Sequence, residues 1–581
     1  MADALPGVGV SHGVAAGPAV RMGRPVRLPA PRPVTDARAE TARAHQALAA
    51  TARDLAARAA RAERATHAAD RTASAIVHAQ SLMAGDPELR DTVAAHVTAG
   101  ADAAHAIDAA FADYRRQLVE LGGYLADRAG DLDDVRNRAV AAALDVPMPG
   151  VPTPGHPFVL IADDLSPADT AGLDTSTVLA LVTEQGGPTS HTAILARALG
   201  LPAVVACSGC MSLADGTLVS VDGRTGTVRL GITADEAEQA RRQAAATAAR
   251  GHVDGVGRTA DGHRVPLLAN VGSASDMAVA DAAGAEGVGL FRTEFLFLDR
   301  RDPPTREEQV RAYAEVFRAA PTGRLTVRTL DAGADKPLPF LGLPDEPNPA
   351  LGIRGIRVGR LHPDLLDTQL AAVAEAAAVT GADVQVMAPM VTTATEARDF
   401  ADRARRHGLD RAGVMVEVPA AALTAARLLT AVDFLSIGTN DLGQYTMAAD
   451  RQAGRLADLL DPWQPALLDL IAGCAAAAAQ AGKPAGVCGE AAADPLLAAV
   501  LVGLGVTSLS MSARSLAAVR DELARHTLED CRAFAAQARA ADSAAEARAA
   551  ALQAAEAPDM PTVRITGGRA TPVRPAGRPA R

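Results

Sequence analysis

The chain is 581 residues long, too long for one hydrophobic core, and its length predicts about three or four domains. Hydrophobic residues make up 49% and aromatic residues only 3%, the balance of a soluble, alanine-rich globular protein. The formal net charge of −11, with lysine confined to Lys336 and Lys483, argues against nucleic acid or a membrane surface as partner.

The start, Met1-Ala2-Asp3-Ala4-Leu5-Pro6, lacks the basic and apolar regions of an export signal, and no apolar run reaches about 18 residues. Residues 5–30 are rich in Gly, Val and Pro and predict short strands broken by glycine turns, with His12 in a loop. From residue 35 to 144 the pattern turns helical. Leu48 and Leu55 lie seven apart with Ala52 and Ala59 in step, and Asp86-Pro87-Glu88 reads as cap, first position and acidic first turn. About four helices are expected there. Residues 86–134 carry eleven acidic side chains against four arginines, either a solvated surface or a dock for a basic partner.

Strand patterns return at 158–162 and 177–183, the second followed by Gly186-Gly187-Pro188-Thr189-Ser190-His191-Thr192-Ala193-Ile194. Ile194/Ala198 and Leu195/Leu199 repeat at i,i+4, so a short amphipathic helix follows the glycine turn. Thr189 or Ser190 can cap it, and Gly200 with Pro202 ends it before a strand at 203–206. His191 then stands in the first turn, beside unpaired backbone N–H groups and the positive end of the dipole. That setting disfavours imidazolium and stabilises an anionic group on the ring, which suits a phosphoryl carrier. A histidine that merely caps an ordinary βαβ turn remains the open alternative at this stage.

The cysteines, Cys207, Cys210, Cys474, Cys488 and Cys531, are few and odd in number, so a reducing cytoplasm is expected rather than a disulfide framework. Cys207 and Cys210 have C-x-x-C spacing, but no second pair completes a zinc site. Further strands are expected at 219–223 and 227–230, then a polar helix over 233–250 and Gly251, Gly255 and Gly257, which together read as a hinged linker. Beyond it, eight short apolar runs recur at 265–270, 287–290, 325–328, 384–388, 413–416, 434–438, 485–488 and 508–511. Their span matches a (β/α)8 barrel, which typically takes about 250 residues. The Pro-, Gly- and Arg-rich stretch after residue 557 is expected to be a disordered tail.

Polar residues gather where these runs end, the face on which such barrels build active sites. They include Arg292-Thr293-Glu294, Arg328-Thr329-Leu330-Asp331, Glu417, Asn440-Asp441, Arg451 and Cys488-Gly489-Glu490. Arginines suit a bidentate grip on phosphate and carboxylate, paired carboxylates with a phosphorylated substrate suit Mg2+, and a thiol can move a proton at carbon. The set points to a small anionic phosphate ester.

In their order along residues 5 to 545, these motifs resemble enzyme I of the bacterial phosphoenolpyruvate-dependent sugar phosphotransferase system. The stretches that carry the resemblance are Gly186 to Ile194, Phe291-Arg292-Thr293-Glu294-Phe295-Leu296-Phe297, Arg328 to Asp331, Gly438-Thr439-Asn440-Asp441-Leu442 and Cys488 to Glu490. It implies a multidomain α/β chain: a swivelling phosphohistidine α/β domain (1–30 and 146–230) with an inserted helical subdomain (31–145) that docks the carrier protein HPr, a linker and hinge (231–260), a (β/α)8 phosphoenolpyruvate-binding and dimerisation domain (261–545) and a tail (546–581). His191 would be the phosphorylated nucleophile and Cys488 the proton donor. Arg292, Arg328 and Arg451 would hold the substrate, with Asn440 and Asp441 beside it, and Glu417 and Asp441 would ligate Mg2+. A cytoplasmic homodimer is expected.

The chain departs from the family pattern at Ala334, Gly443, His12 and Gln452-Ala453-Gly454, which touches loop geometry but none of the named ligands. Two alternatives stand beside this reading. A phosphoenolpyruvate synthase or pyruvate dikinase would need an ATP-binding domain ahead of the histidine, where an alanine-rich helical segment stands instead. An inactive carrier-binding scaffold would not need the full Arg, Glu, Asp and Cys set.

Overall fold

Two sheets organise the chain, one open and one closed. The computed structural model describes all residues except 1–3, 12, 24–27, 65–67, 122–128, 147–149, 153, 166–172, 188–190, 224, 250–254, 299, 321–322, 334–337, 344–345, 451–453 and 557–581. The open sheet takes β1 (Ala4–Pro6), β2 (Val8–Ser11), β3 (Val14–Arg21), β4 (Phe158–Ala162), β5 (Val178–Thr183), β6 (Ala203–Val205), β7 (Leu218–Asp222) and β8 (Thr227–Leu230). Their order is β1-β8-β7-β3-β4-β5-β6-β2. The middle strands β3 to β6 run parallel, and the N-terminal strands complete the sheet antiparallel at its flanks. β4 is buried along its whole length, which is why it reads as an unbroken apolar run rather than an alternation.

The helical segment is a crossover between two neighbouring parallel strands. β3 pairs with β4 through Ala19↔Val159 and Arg21↔Ile161, and everything between them is carried outside the sheet. Among the described residues this segment holds five helices, Ala37–Arg64, Ala68–Gly85, Pro87–Thr98, Ala103–Leu121 and Ala129–Ala143, one more than the count expected from sequence. Leu48, Leu55 and Ala59 are buried in its core with Val93, Ile107 and Phe111. The cap at Asp86 forms as its sequence predicts: its carboxylate accepts from Glu88 N at 2.7 Å, with Pro87 opening the helix.

The barrel closes from eight parallel strands: β9 (Leu267–Val271), β10 (Val288–Arg292), β11 (Leu325–Arg328), β12 (Val384–Ala388), β13 (Ala412–Val416), β14 (Leu435–Ile437), β15 (Ala485–Val487) and β16 (Ser508–Met511). β16 pairs back onto β9, so no edge is left. All eight fall on the predicted apolar runs. Ordered packing extends past the boundary expected at residue 545, because the helix Ala544–Glu556 buries Ala547 and Ala551 in the barrel core. No described helix is long and apolar enough to cross a membrane.

Between the two sheets, the helix Ala234–Ala249 starts against the open sheet, where Ala237 is buried with Ala16 and Ile232. Gly251 lies outside the described residues, and Gly255 has φ +114°. Gly257 is already pinned to the barrel: its N–H donates to Glu286 Oε1 at 2.7 Å, and its carbonyl accepts from Val265 N at 2.9 Å. A Cβ there would sit 2.2 Å from Val265 O. Gly257→Ala is therefore expected to destabilise the barrel by about 1–3 kcal/mol, the usual cost of overpacking. Chemical denaturation would read this as a lower midpoint.

Candidate active site

The His191 unit forms as strand, turn and helix. β5 ends at Thr183, Gly186 turns the chain with φ +96°, and the helix His191–Leu199 begins at the histidine itself. Thr192, in the same first turn, donates from Oγ1 to Asp164 Oδ1 at 3.1 Å, which ties the helix start to the loop after β4. The helix stops as predicted. Gly200 is left-handed at φ +68°, and Leu201 N returns to Ala196 O at 3.0 Å, closing the last turn. The capping residues Thr189 and Ser190 lie outside the described residues, as does the imidazole of His191.

A cleft of about 250 Å³ separates this domain from the barrel mouth. Val8 and Ser11 of β2 and Gly200 line one side, while Asn440, Glu490 and Arg514 line the other. The edge of the histidine domain thus faces the C-terminal ends of the barrel strands.

Inside that mouth the chemistry is electrostatic. Arg328, at the end of β11, is 6% exposed and ion-pairs with Glu294 and, at 3.2 Å, with Asp331. Arg354, 3% exposed, reaches Asp331 at 3.3 Å and grips Asp441 through both nitrogens at 2.9 and 3.1 Å. Burial works against both guanidinium charges, but the surrounding carboxylates outweigh it and hold both pKa values above the ordinary arginine value. Glu417, at the end of β13, is 1% exposed and accepts from Met390 N at 2.7 Å. Its carboxyl is pushed up to about 8, by burial first and then by the negative charges of Asp441 and Asp331.

Four buried carboxylates therefore face two buried arginines, an excess of negative charge that fits a divalent cation. Among the described residues no three His, Cys, Asp or Glu side chains cluster as a self-sufficient metal cage. Mg2+ does not need one, since it keeps waters and shares substrate oxygens. Two buried polar atoms, Arg328 Nε and Thr439 Oγ1, have no hydrogen-bond partner, which marks unspent donor capacity at this mouth.

The remaining predicted residues fall around the same opening. Arg292 ends β10 and is exposed, free to reach a ligand. Asn440 is half-buried in the first turn of the helix Thr439–Met447, and its Oδ1 accepts from Glu490 N at 3.0 Å. Cys488 follows β15 directly and is 4% exposed; its thiol contacts Ile437 O at 3.6 Å. Burial pushes the thiol up to about 11, against a hydrogen bond from Ser436, so it stays protonated at neutral pH and can act as an acid. Arg451 lies outside the described residues.

Three family models match the chain. Residues 6–128 match the N-terminal domain of phosphoenolpyruvate-utilising enzymes, 154–226 their mobile domain and 248–528 their phosphoenolpyruvate-binding domain. A phosphoenolpyruvate-protein phosphotransferase of Streptomyces coelicolor is 56% identical over 95% of this chain and 99% of its own length. The chain belongs to the phosphoenolpyruvate–protein phosphotransferase family. Proteins with the same name from Haloferax volcanii and Geobacillus stearothermophilus are 42% and 38% identical, over 81% and 90% of this chain and 86% and 93% of their own.

Sequence reasoning missed one residue of this family member's mouth. Arg354 sits in the connection between β11 and β12, with no strand end to announce it. The loop is held inward by a bridge between Gly333 and Arg354 and by Gly355 N donating to Ala332 O at 3.0 Å. Gly333 is required there, because a Cβ would lie 2.2 Å from Ile353 O. The signal was present as an arginine set between glycines, Gly352-Ile353-Arg354-Gly355. Glu294 and Asp331 were visible as motif members but not as the counter-charges of Arg328.

The raised carboxyl of Glu417 gives a pH signature. A carboxyl that binds its proton more tightly when folded makes stability fall as pH rises, from the ordinary carboxylate range up to about 8. Thermal melts of the metal-free enzyme should decline through that window, and Glu417→Gln should flatten the decline and melt higher than the parent above pH 8. Parallel pH profiles for the two proteins would remove Glu417 as the cause.

Proposed function

We propose that this enzyme, a phosphoenolpyruvate-dependent phosphotransferase by family, takes the phosphoryl group of phosphoenolpyruvate onto His191, releases pyruvate and passes the group to a histidine of the carrier HPr, the first step of the sugar phosphotransferase system. The observation that carries the reading is a buried arginine–carboxylate mouth faced by a separate domain whose helix begins at His191.

Each residue then has one task. Arg292, Arg328 and Arg451 grip the phosphate and carboxylate of the substrate, and Asn440 borders the phosphate. Phosphoryl transfer asks mainly for positioning and charge neutralisation, which this donor set supplies. Glu417 and Asp441 hold Mg2+, which when bound neutralises phosphate oxygens. His191 attacks as neutral imidazole from a helix start that favours the anionic product. Cys488 gives its proton to the enolate carbon.

The division of labour follows the segments. Residues 1–30 and 146–230 carry the histidine, 31–145 dock HPr with their acidic surface, 231–260 let the histidine swing, and 261 onward bind substrate and form the homodimer. Phe295, Leu351 and Leu423 are exposed on the barrel unit and offer apolar area to a second copy. The five cysteines are free thiols, in keeping with the cytoplasm.

Incubation with Mg2+ and labelled phosphoenolpyruvate, without ATP, should place an acid-labile label on the wild-type chain and none on His191→Ala. Label taken only from ATP, or no label at all, sinks the proposal. Cys488→Ala should keep substrate binding and lose pyruvate release by about 100-fold or more, the usual range for a lost general acid. Unchanged turnover would take the thiol out of the mechanism.

A further inference from the structure

The barrel is hollow on the face opposite its active site. Inward side chains alternate along each strand, and such barrels normally fill their interior with layers of branched residues. Here Gly289, Thr326, Gly486 and Ser508 take inward positions instead. Neither glycine tolerates bulk: a Cβ on Gly289 would lie 2.4 Å from Ser510 Oγ, and one on Gly486 would lie 2.5 Å from Ser508 Oγ. The result is a cavity of about 340 Å³. It opens between Arg264, Glu286 and Arg324 at the N-terminal ends of the strands and reaches Cys488 at the far end of β15.

Phe434 lines one side and packs with Leu290, Met387, Met415 and Cys488. The other carries hydroxyls and amides in sequence. Gln385 Nε2 donates to Thr326 Oγ1 at 2.9 Å, Ser510 Oγ donates to Asn270 Oδ1 at 2.6 Å, and Asn270 Nδ2 donates to the Cys488 carbonyl at 3.1 Å. Ser436 lines the cavity together with Cys488. Polar cavities hold water where apolar ones stay dry, and one water takes about 30 Å³ of liquid, so several fit.

We propose that this shaft returns the proton that Cys488 spends, so that water along its polar wall reprotonates the thiol from the barrel face opposite the substrate. The idea rests on the role assigned to Cys488 above. In each turnover the S–H bond breaks, a C–H bond forms at C3 of the enolate, and a thiolate is left. That thiolate takes a proton from shaft water, which bulk water replenishes through the Arg264–Arg324 opening. Substrate and the histidine domain stand on the other side of the thiol, so the back face is the route to solvent that stays open during transfer.

Isotope exchange at equilibrium tests this with the full-length enzyme, Mg2+, phosphoenolpyruvate and carbon-labelled pyruvate in D2O. Carbon exchange between the two pools needs only proton shuttling by the thiol. Deuterium entry at C3 also needs the thiol to trade its proton with solvent. In the wild type both should proceed together, above the enzyme-free background. In the double variant Thr326→Val/Gln385→Leu, and separately in Ser508→Val, carbon exchange should stay within about twofold while deuterium entry lags at least tenfold. Deuterium that keeps pace in both variants overturns the shaft, as does a joint loss of both exchanges in variants with wild-type melting. Cys488→Ala separates the two ideas: undiminished exchange in it would refute the thiol's role rather than the shaft.

Discussion

The site depends on charges that have been taken out of water together. Arg328 and Arg354 are held among Glu294, Asp331, Glu417 and Asp441 at the mouth of the barrel, and no member of the group is more than slightly exposed. Assembling such a group is unfavourable in isolation, since burying each ion costs several kcal/mol before its partners compensate. Removing one partner typically costs about 3–5 kcal/mol, because an uncompensated charge is left behind. The network is therefore poor evidence for stability and good evidence for use. It keeps donors and carboxylates gathered at a point where an anionic substrate can exchange places with the internal ion pairs.

The rest of the barrel serves that concentration of charge. Eight parallel strands deliver their C-terminal ends to one ring, so residues 292, 328, 417, 440 and 488, far apart in sequence, meet across a single opening. The loop bearing Arg354 is added from the side by backbone bonding to the segment after β11. Below the ring, Cys488 lies at the boundary between the charged mouth and the hydroxyl-lined interior, so one thiol belongs to two environments with different access to solvent.

Much of this was legible in the chain itself, and the gaps have physical reasons. The barrel strands stood out because strands buried on both faces are unbroken apolar runs. The His191 helix stood out because glycine marks its turn and its end, φ +96° at Gly186 and φ +68° at Gly200. Alanine-rich helices were harder to count, since alanine is compatible with every face of a helix and leaves a faint stripe. For the same reason the helix Ala544–Glu556 looked like the start of a tail, although its alanines allow close approach to the barrel. Arg354 escaped notice because a loop residue has no period to betray its direction, and the backbone bonding around Gly333 turns it inward.

The connection between β3 and β4 has a consequence for how such a chain could arise. Parallel neighbours always need a crossover of a dozen or more residues, and beyond that minimum its length is unconstrained by sheet register. A helical unit with its own core, five helices among the described residues, occupies what a single helix could have bridged. The segment can thus diverge, grow or be exchanged as a module while the strands beside His191 keep their pairing, so its surface and the phosphoryl chemistry are open to separate selection.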